Sequence, residues 1–281
     1  MRWKDREESS NIEDRRGMSG GAKAGLGGAG LILVIVFSLI TRQNPLEVIS
    51  QVNSGQPDSN HAYQPSAKEE SLRKFTAVIL KDTETTWNEA FRSIGRDYKE
   101  PVLVMFTGQV KSGCGVADAG MGPFYCGEDE KVYIDLSFYQ LLKDRFGSKG
   151  DFAQAYVIAH EVGHHVQKQL GTLDKVHAMQ SRLSPKDYNA LSVRLELQAD
   201  YYAGVWAKQA REMASLDEND LRSALEVAKA IGDDAIQTQA QGYVVPDAFT
   251  HGTSEQRARW FLKGWESGDF RRGDTFSVRN P

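Results

Sequence analysis

The sequence predicts an α+β protein: a mainly helical domain with a small β-sheet, preceded by a single transmembrane helix and a linker. Three observations carry that expectation. The run from Asp151 to Gly171 repeats apolar residues at three-and-four spacing with no proline. Two apolar, β-branched stretches, 101–110 and 131–139, come before it and read as strands. Eighteen uncharged residues from Ala24 to Thr41 end at Arg42, the lower limit of a membrane span.

At 281 residues with 40% hydrophobic content, the chain can bury a substantial core, in one domain of about 200 residues with appendages. A net charge of −4 offers no basic surface to nucleic acid. No repeat period stands out.

Taken in order, residues 1–23 are charged and glycine-rich and are expected to be disordered. Residues 24–42 follow as an anchor, weakened early by Gly25, Gly27, Gly28 and Gly30. A cleaved signal peptide is the rival reading, but the leader is long, mixed in charge and lacks a small-x-small cleavage site. Arg2, Lys4, Arg6, Arg15, Arg16 and Lys23 precede the span, whereas only Arg42 and Lys68 follow across the linker. The positive-inside rule then predicts a single-pass protein of the cell (inner) membrane with a cytoplasmic N-terminus and a periplasmic or extracellular domain. Residues 43–68, rich in Pro, Ser, Asn and Gln, read as a linker, with His61 solvated. The domain proper is expected at 69–281.

Ser71 to Ile94 reads as an amphipathic helix with Leu72, Phe75, Ile79, Trp87 and Phe91 inward. The two cysteines, Cys114 and Cys126, are too far apart for a local metal knuckle and are flanked by glycines that suit a bent loop. A bridge between them is worth about 3 kcal/mol in an oxidising compartment, the alternative being two small buried thiols. The exposed edge of the small sheet formed by the expected strands could pair with an extended peptide, the alternative for VYID being an ordinary structural strand.

In DFAQAYVIAHEVGHHVQKQLG, Asp151 is a candidate N-cap and Gly171 a C′ residue. His160 and His164 are one turn apart and leave the same face, so both imidazoles can close on one metal ion, with Glu161 within reach of a water. This His-Glu-x-x-His spacing is that of zinc hydrolases, and arises by chance in roughly one such chain in a hundred. The bland alternative is two satisfied core histidines. His165 points elsewhere and reads as a surface or supporting residue.

Ser184 and Pro185 start a second long helix, apolar nearly all round yet carrying Glu196 and Asp200 four apart on one face. Unpartnered carboxylates there cost several kcal/mol. The simplest resolution is that this helix crosses the first, Glu196 supplying a third ligand and Asp200 accepting an imidazole N–H of His160 or His164. A salt bridge to a residue such as Arg194 or Lys208 is the competing reading. Near the C-terminus Thr253 and Gln256 form a capping box, with Trp260, Phe261 and Trp265 able to pack inward. His251, just before that cap, either donates to a developing oxyanion or serves the loop. His177 reads as surface.

These residues carry a resemblance. HEVGH followed by ELQAD has the glutamate-zincin form, HExxH then ExxxD. More fully, MRW with NIEDRRG, the short span, CG…GPFYC before VYIDLSFY, HEVGHHVQ, LELQADYYAGVWA and HGTSEQRARWFLKGW resemble the bacterial "putative neutral zinc metallopeptidase" family over almost the whole chain. One departure is Gly127, where the family pattern leads one to expect proline. The resemblance implies a membrane-tethered, zincin-like peptidase with one Zn2+ per chain on His160, His164 and Glu196, Glu161 as base, and a peptide or protein substrate. A non-catalytic, zinc-stabilised binding or assembly factor at the membrane is the alternative of a different class.

Overall fold

The computed structural model describes residues 1–17, 63–118, 122–139 and 150–281. β1 (Ile12–Asp14), β2 (Val102–Phe106), β5 (Phe124–Cys126) and β6 (Lys131–Asp135) form a sheet in the order β1-β2-β6-β5, while β3 (Gln109–Ser112) and β4 (Gly115–Asp118) form a separate hairpin. β1 and β6 run parallel to β2, and β5 is antiparallel to β6 with Tyr125 opposite Val132. Side chains alternate across the pleat. Leu103, Met105, Val132 and Ile134 therefore face the helical core, while Val104, Phe106 and Tyr133 face Val110, Ala117 and Cys126 beneath the hairpin. Burial on both faces explains why β2 reads as an uninterrupted apolar run.

The helices are α1 (Ala67–Arg92), α2 (Gly150–Leu170), α3 (Thr172–His177), α4 (Pro185–Met213), α5 (Glu218–Ala230), α6 (Asp233–Gln241) and α7 (Ser254–Ser267). α1 starts four residues before its apolar periodicity does because Ser66 and Glu69 cap it reciprocally. α2 ends where predicted, at Gly171 with φ +78°. Its start differs: Asp151 lies in the first turn, and its carboxylate accepts from Trp3 Nε1 at 3.1 Å. At the start of α4 the Ser184 hydroxyl accepts from the Asp187 N–H, with Pro185 first in the helix.

The sequence-based expectation for the N-terminal quarter is corrected. Residues 1–17 of the segment expected to be disordered fold onto the domain. The Met1 amino group sits 2.8 Å from Asp220 on α5, Trp3 packs edge-on against Phe75 of α1, Arg6 pairs with Asp82, and the Ser9 hydroxyl donates to Glu84. β1 then joins the sheet. Composition missed this because the charges that look like disorder are partners for buried carboxylates.

The expected anchor at 24–42 and residues 43–62 of the expected linker 43–68, including His61, lie outside the described residues, while Ala67 and Lys68 already belong to α1. Among the described residues no helix is long and apolar enough to cross a membrane. A single crossing at 24–42 would also put residues 1–17 and the domain on opposite sides, yet β1 is hydrogen-bonded to β2. The transmembrane element of the predicted fold class and the single-pass localisation are overturned on these grounds. The α+β part of the expectation stands as a mainly helical body with a small sheet.

Candidate metal centre

Three helices build the site. α2 crosses α4 at Gly163, where a Cβ would lie 3.0 Å from the Ala199 carbonyl oxygen. The small residue inside HEVGH thus sets how close Glu196 and Asp200 come to the histidines. α7 packs still more tightly on α4: a Cβ on Gly204 would lie 2.1 Å from the Phe261 carbonyl oxygen.

His160, His164 and Glu196 each offer one ligand atom to a group whose members all lie within 4.8 Å of one another. His160 Nε2 is 3.1 Å from one Glu196 oxygen and His164 Nε2 is 3.5 Å from the other. Tetrahedral ligands on zinc, with bonds of about 2.0–2.2 Å, stand roughly 3.3 Å apart.

The surrounding hydrogen bonds fix which nitrogens face inward. Gln167 donates its amide to the Leu195 carbonyl at 2.7 Å and to Gln198 Oε1 at 3.1 Å, so its own Oε1 is left to accept from His164 Nδ1 at 2.9 Å. His160 Nδ1 donates to Asp200 at 2.9 Å. Both Nε2 atoms therefore turn lone pairs toward the Glu196 carboxylate, an arrangement of acceptors that calls for a cation. Burial pulls the His164 imidazole down to about 4, which keeps it in the neutral, ligating form. For His160 burial acts in the same direction, but Asp200 and Glu196 outweigh it and raise the ring to about 10. That position draws positive charge, from a second proton or from a metal ion.

The carboxylates of Glu196 and Asp200 face the guanidinium of Arg257, an acidic balance that favours further positive charge at the imidazoles. The donor set of two imidazoles and a carboxylate is that of a zinc site with an open position.

Asp200 is fully buried and accepts from His160 Nδ1; its other partners are the Tyr156 hydroxyl at 2.5 Å and Arg257 at 2.8 and 3.0 Å. The salt bridge weighed as the alternative is present as well, but from Arg257; Arg194 donates to the carbonyls of Thr275, Phe276 and Val278, and Lys208 to that of Glu266. Glu161 is 8% exposed, and burial pushes its carboxyl up to about 7 despite a backbone hydrogen bond from Tyr125 on the edge strand β5. His251 comes to the same neighbourhood because Asp233 organises its loop. One Asp233 oxygen accepts the backbone N–H groups of Thr250, His251 and Gly252 at 2.7, 2.6 and 3.0 Å, and the other lies 3.3 Å from His251 Nδ1. Gly252, at φ +88°, packs on Val193 and Leu197, which flank Glu196. Partial desolvation opposes it, yet Glu196 and Asp233 together hold the His251 ring above its ordinary value.

His165 does point away from the site, but it is completely buried rather than on the surface. Its ring bridges Tyr125 Oη at 3.0 Å and the Lys99 carbonyl at 2.7 Å, pinning α2 to β5. His177 is exposed. Cys114 and Cys126 form a disulfide that ties the hairpin turn to β5. Gln167, Tyr156, Asp233 and Arg257 were not singled out by sequence.

A family model described as "Putative neutral zinc metallopeptidase" matches residues 1–276. The chain belongs to this family. The uncharacterized protein YpfJ of Escherichia coli (strain K12) is 49% identical over 285 residues, covering 98% of this chain and 99% of YpfJ. The uncharacterized proteins Mb2605 of Mycobacterium bovis and Rv2575 of Mycobacterium tuberculosis (strain H37Rv) are each 43% identical over 192 residues, covering 64% of this chain and 64% of theirs. No solved structure matches the chain. Membership in a neutral zinc metallopeptidase family implies zinc and points to hydrolysis, and His160, His164 and Glu196 are the residues of this member that could hold the ion.

Proposed function

We propose that the protein hydrolyses peptide bonds in a peptide or protein substrate, with one zinc ion per chain held by His160, His164 and Glu196. The observation that carries this reading is the convergence of two Nε2 lone pairs on the Glu196 carboxylate, with Glu161 beside them. A bound zinc ion supplies Lewis acidity to a water molecule and to the scissile carbonyl.

Glu161 takes the proton from the attacking water and returns it to the departing amine. Its burial supports this role, because a carboxyl near 7 is matched to proton transfer at neutral pH. Asp200 and Gln167 hold the two imidazoles with Nδ1 protonated. His251, steadied by Asp233, donates toward the carbonyl oxygen as charge develops on it. The substrate backbone lies along β5, the sheet edge packed against α2.

A closed structural zinc site wants a fourth protein donor, and among the described residues the metal-holding group has three members. That weighs against the binding or assembly factor. The test is a peptide-library digest run with metal analysis on the wild type and Glu161→Gln. Zinc near one per chain in both proteins, with cleavage by the wild type only, is the expected result. Equal cleavage by the two removes Glu161 from the chemistry, and no cleavage by a zinc-loaded wild type removes the peptidase.

A further inference from the structure

Arg257 lies on α7, the helix whose Trp260 and Phe261 pack inward, and it is 2% exposed. Its Nε and Nη2 grip the two oxygens of Asp200 at 2.8 and 3.0 Å. The same Nη2 stands 3.4 Å from His160 Nδ1, 3.5 Å from His160 Nε2 and 4.0 Å from Glu196 Oε2. Its Nη1 donates to the Ile231 carbonyl at 3.3 Å. One guanidinium thus touches α4, α2 and the α5–α6 turn.

We propose that Arg257 is a positioning residue of the metal centre, acting through Asp200 to set the orientation of His160. The inference rests on the zinc reading above. Asp200 Oδ1 meets Tyr156, His160 and Arg257 Nη2, while Oδ2 accepts from Arg257 Nε, so Arg257 is the donor that spans both oxygens. The fork fixes the carboxylate plane because guanidinium and carboxylate match as parallel pairs. With that plane fixed, the oxygen facing Nδ1 aims Nε2 of His160 at Glu196. Without it, Asp200 keeps only Tyr156 and His160 as partners and is free to turn.

Charge makes the same demand. Asp200 has no exposed surface, and a buried carboxylate stripped of its counterion is strongly destabilising. A lysine supplies the charge as a point but cannot hold both oxygens, so the two contributions of Arg257 are separable by experiment.

The decisive measurement is zinc affinity, by competition with a chromophoric chelator, for the full chain as wild type, Arg257→Lys, Asp200→Asn and the double variant. Partners behind a metal ligand typically change affinity about 10- to 100-fold. Arg257→Lys is expected to weaken zinc binding about tenfold when Asp200 is present and hardly at all when Asn occupies that position. It is also expected to shift the visible absorption bands of the cobalt-substituted protein. Equal losses in both backgrounds, or no loss in either, overturn the proposal. Should the Asn variant fail to fold, unchanged affinity and unchanged cobalt bands in Arg257→Lys alone overturn it. A wild type that binds no zinc, or binds it equally well after His164→Ala, fails at the metal centre itself and takes the inference with it.

Discussion

Gly204 on α4 and Gly264 on α7 face each other so closely that neither has room for a side chain. A Cβ on Gly204 would sit 2.1 Å from the Phe261 carbonyl oxygen, and one on Gly264 would sit 2.0 Å from that of Tyr201. Backbone cannot yield as a side chain can. Gly204→Ala is expected to cost at least the 1–3 kcal/mol typical of overpacking, read from the midpoint of denaturant unfolding. Because α7 carries Arg257, zinc affinity should fall with it. A variant as stable as the wild type contradicts this packing.

Zinc should stabilise the fold by mass action. At one hundred times its dissociation constant, a ligand bound only by the native state adds about 2.7 kcal/mol, or roughly 5–10 °C in Tm for a domain of this size. The shift should reverse with a chelator and vanish in Glu196→Ala. A thermal melt in a zinc titration checks both.

Trp3 joins the start of the metal-bearing helix to α1, through Asp151 and Phe75. Trp3→Ala is expected to destabilise by about 2–3 kcal/mol, below the range for a fully buried tryptophan. Thermal unfolding of the variant would show no change if the N-terminal strap merely rested on the surface.

Asp82 gives a pH signature. Burial raises its carboxyl from 3.8 to about 6, although Arg6 pulls the other way. The folded state therefore binds this proton more tightly than the unfolded chain does. The associated stability is fully present below 3.8 and is lost as pH rises through about 6, a swing of up to about 3 kcal/mol. Asp82→Asn should flatten that part of the profile, measured as the difference in Tm between pH 4 and pH 6.5.

Removing the Cys114–Cys126 bridge by Cys114→Ser should cost about 3 kcal/mol in the chain-entropy account for so short a loop. The same loss should appear in the wild type after reduction by a dithiol, and reduction should leave Cys114→Ser unchanged.

Much of the centre was legible because a helix converts spacing into direction. His160 and His164 at i and i+4 must share a face, and two carboxylates in an apolar helix must find partners, so the crossing of α2 and α4 followed from burial alone. Arg257 was legible in principle. It shares a three-and-four stripe with Trp260, Phe261 and Gly264, and an arginine in an otherwise buried stripe needs a buried acid. Gln167 and Asp233 gave no such signal, since their roles depend on backbone groups far away in the chain.

The amino-acid sequence by itself determined the periodic helices, their caps, the β-branched strands and the one-turn spacing of the imidazoles, because these are set by interactions within a few residues. Tertiary structure alone decided that residues 1–17 close the sheet instead of trailing free, and that Asp200 serves His160 with Arg257 behind it. Those outcomes turn on which buried charge meets which counter-charge between 40 and 219 residues away in the chain. A run of acids and arginines looks the same in sequence whether water or a carboxylate on another helix will satisfy it.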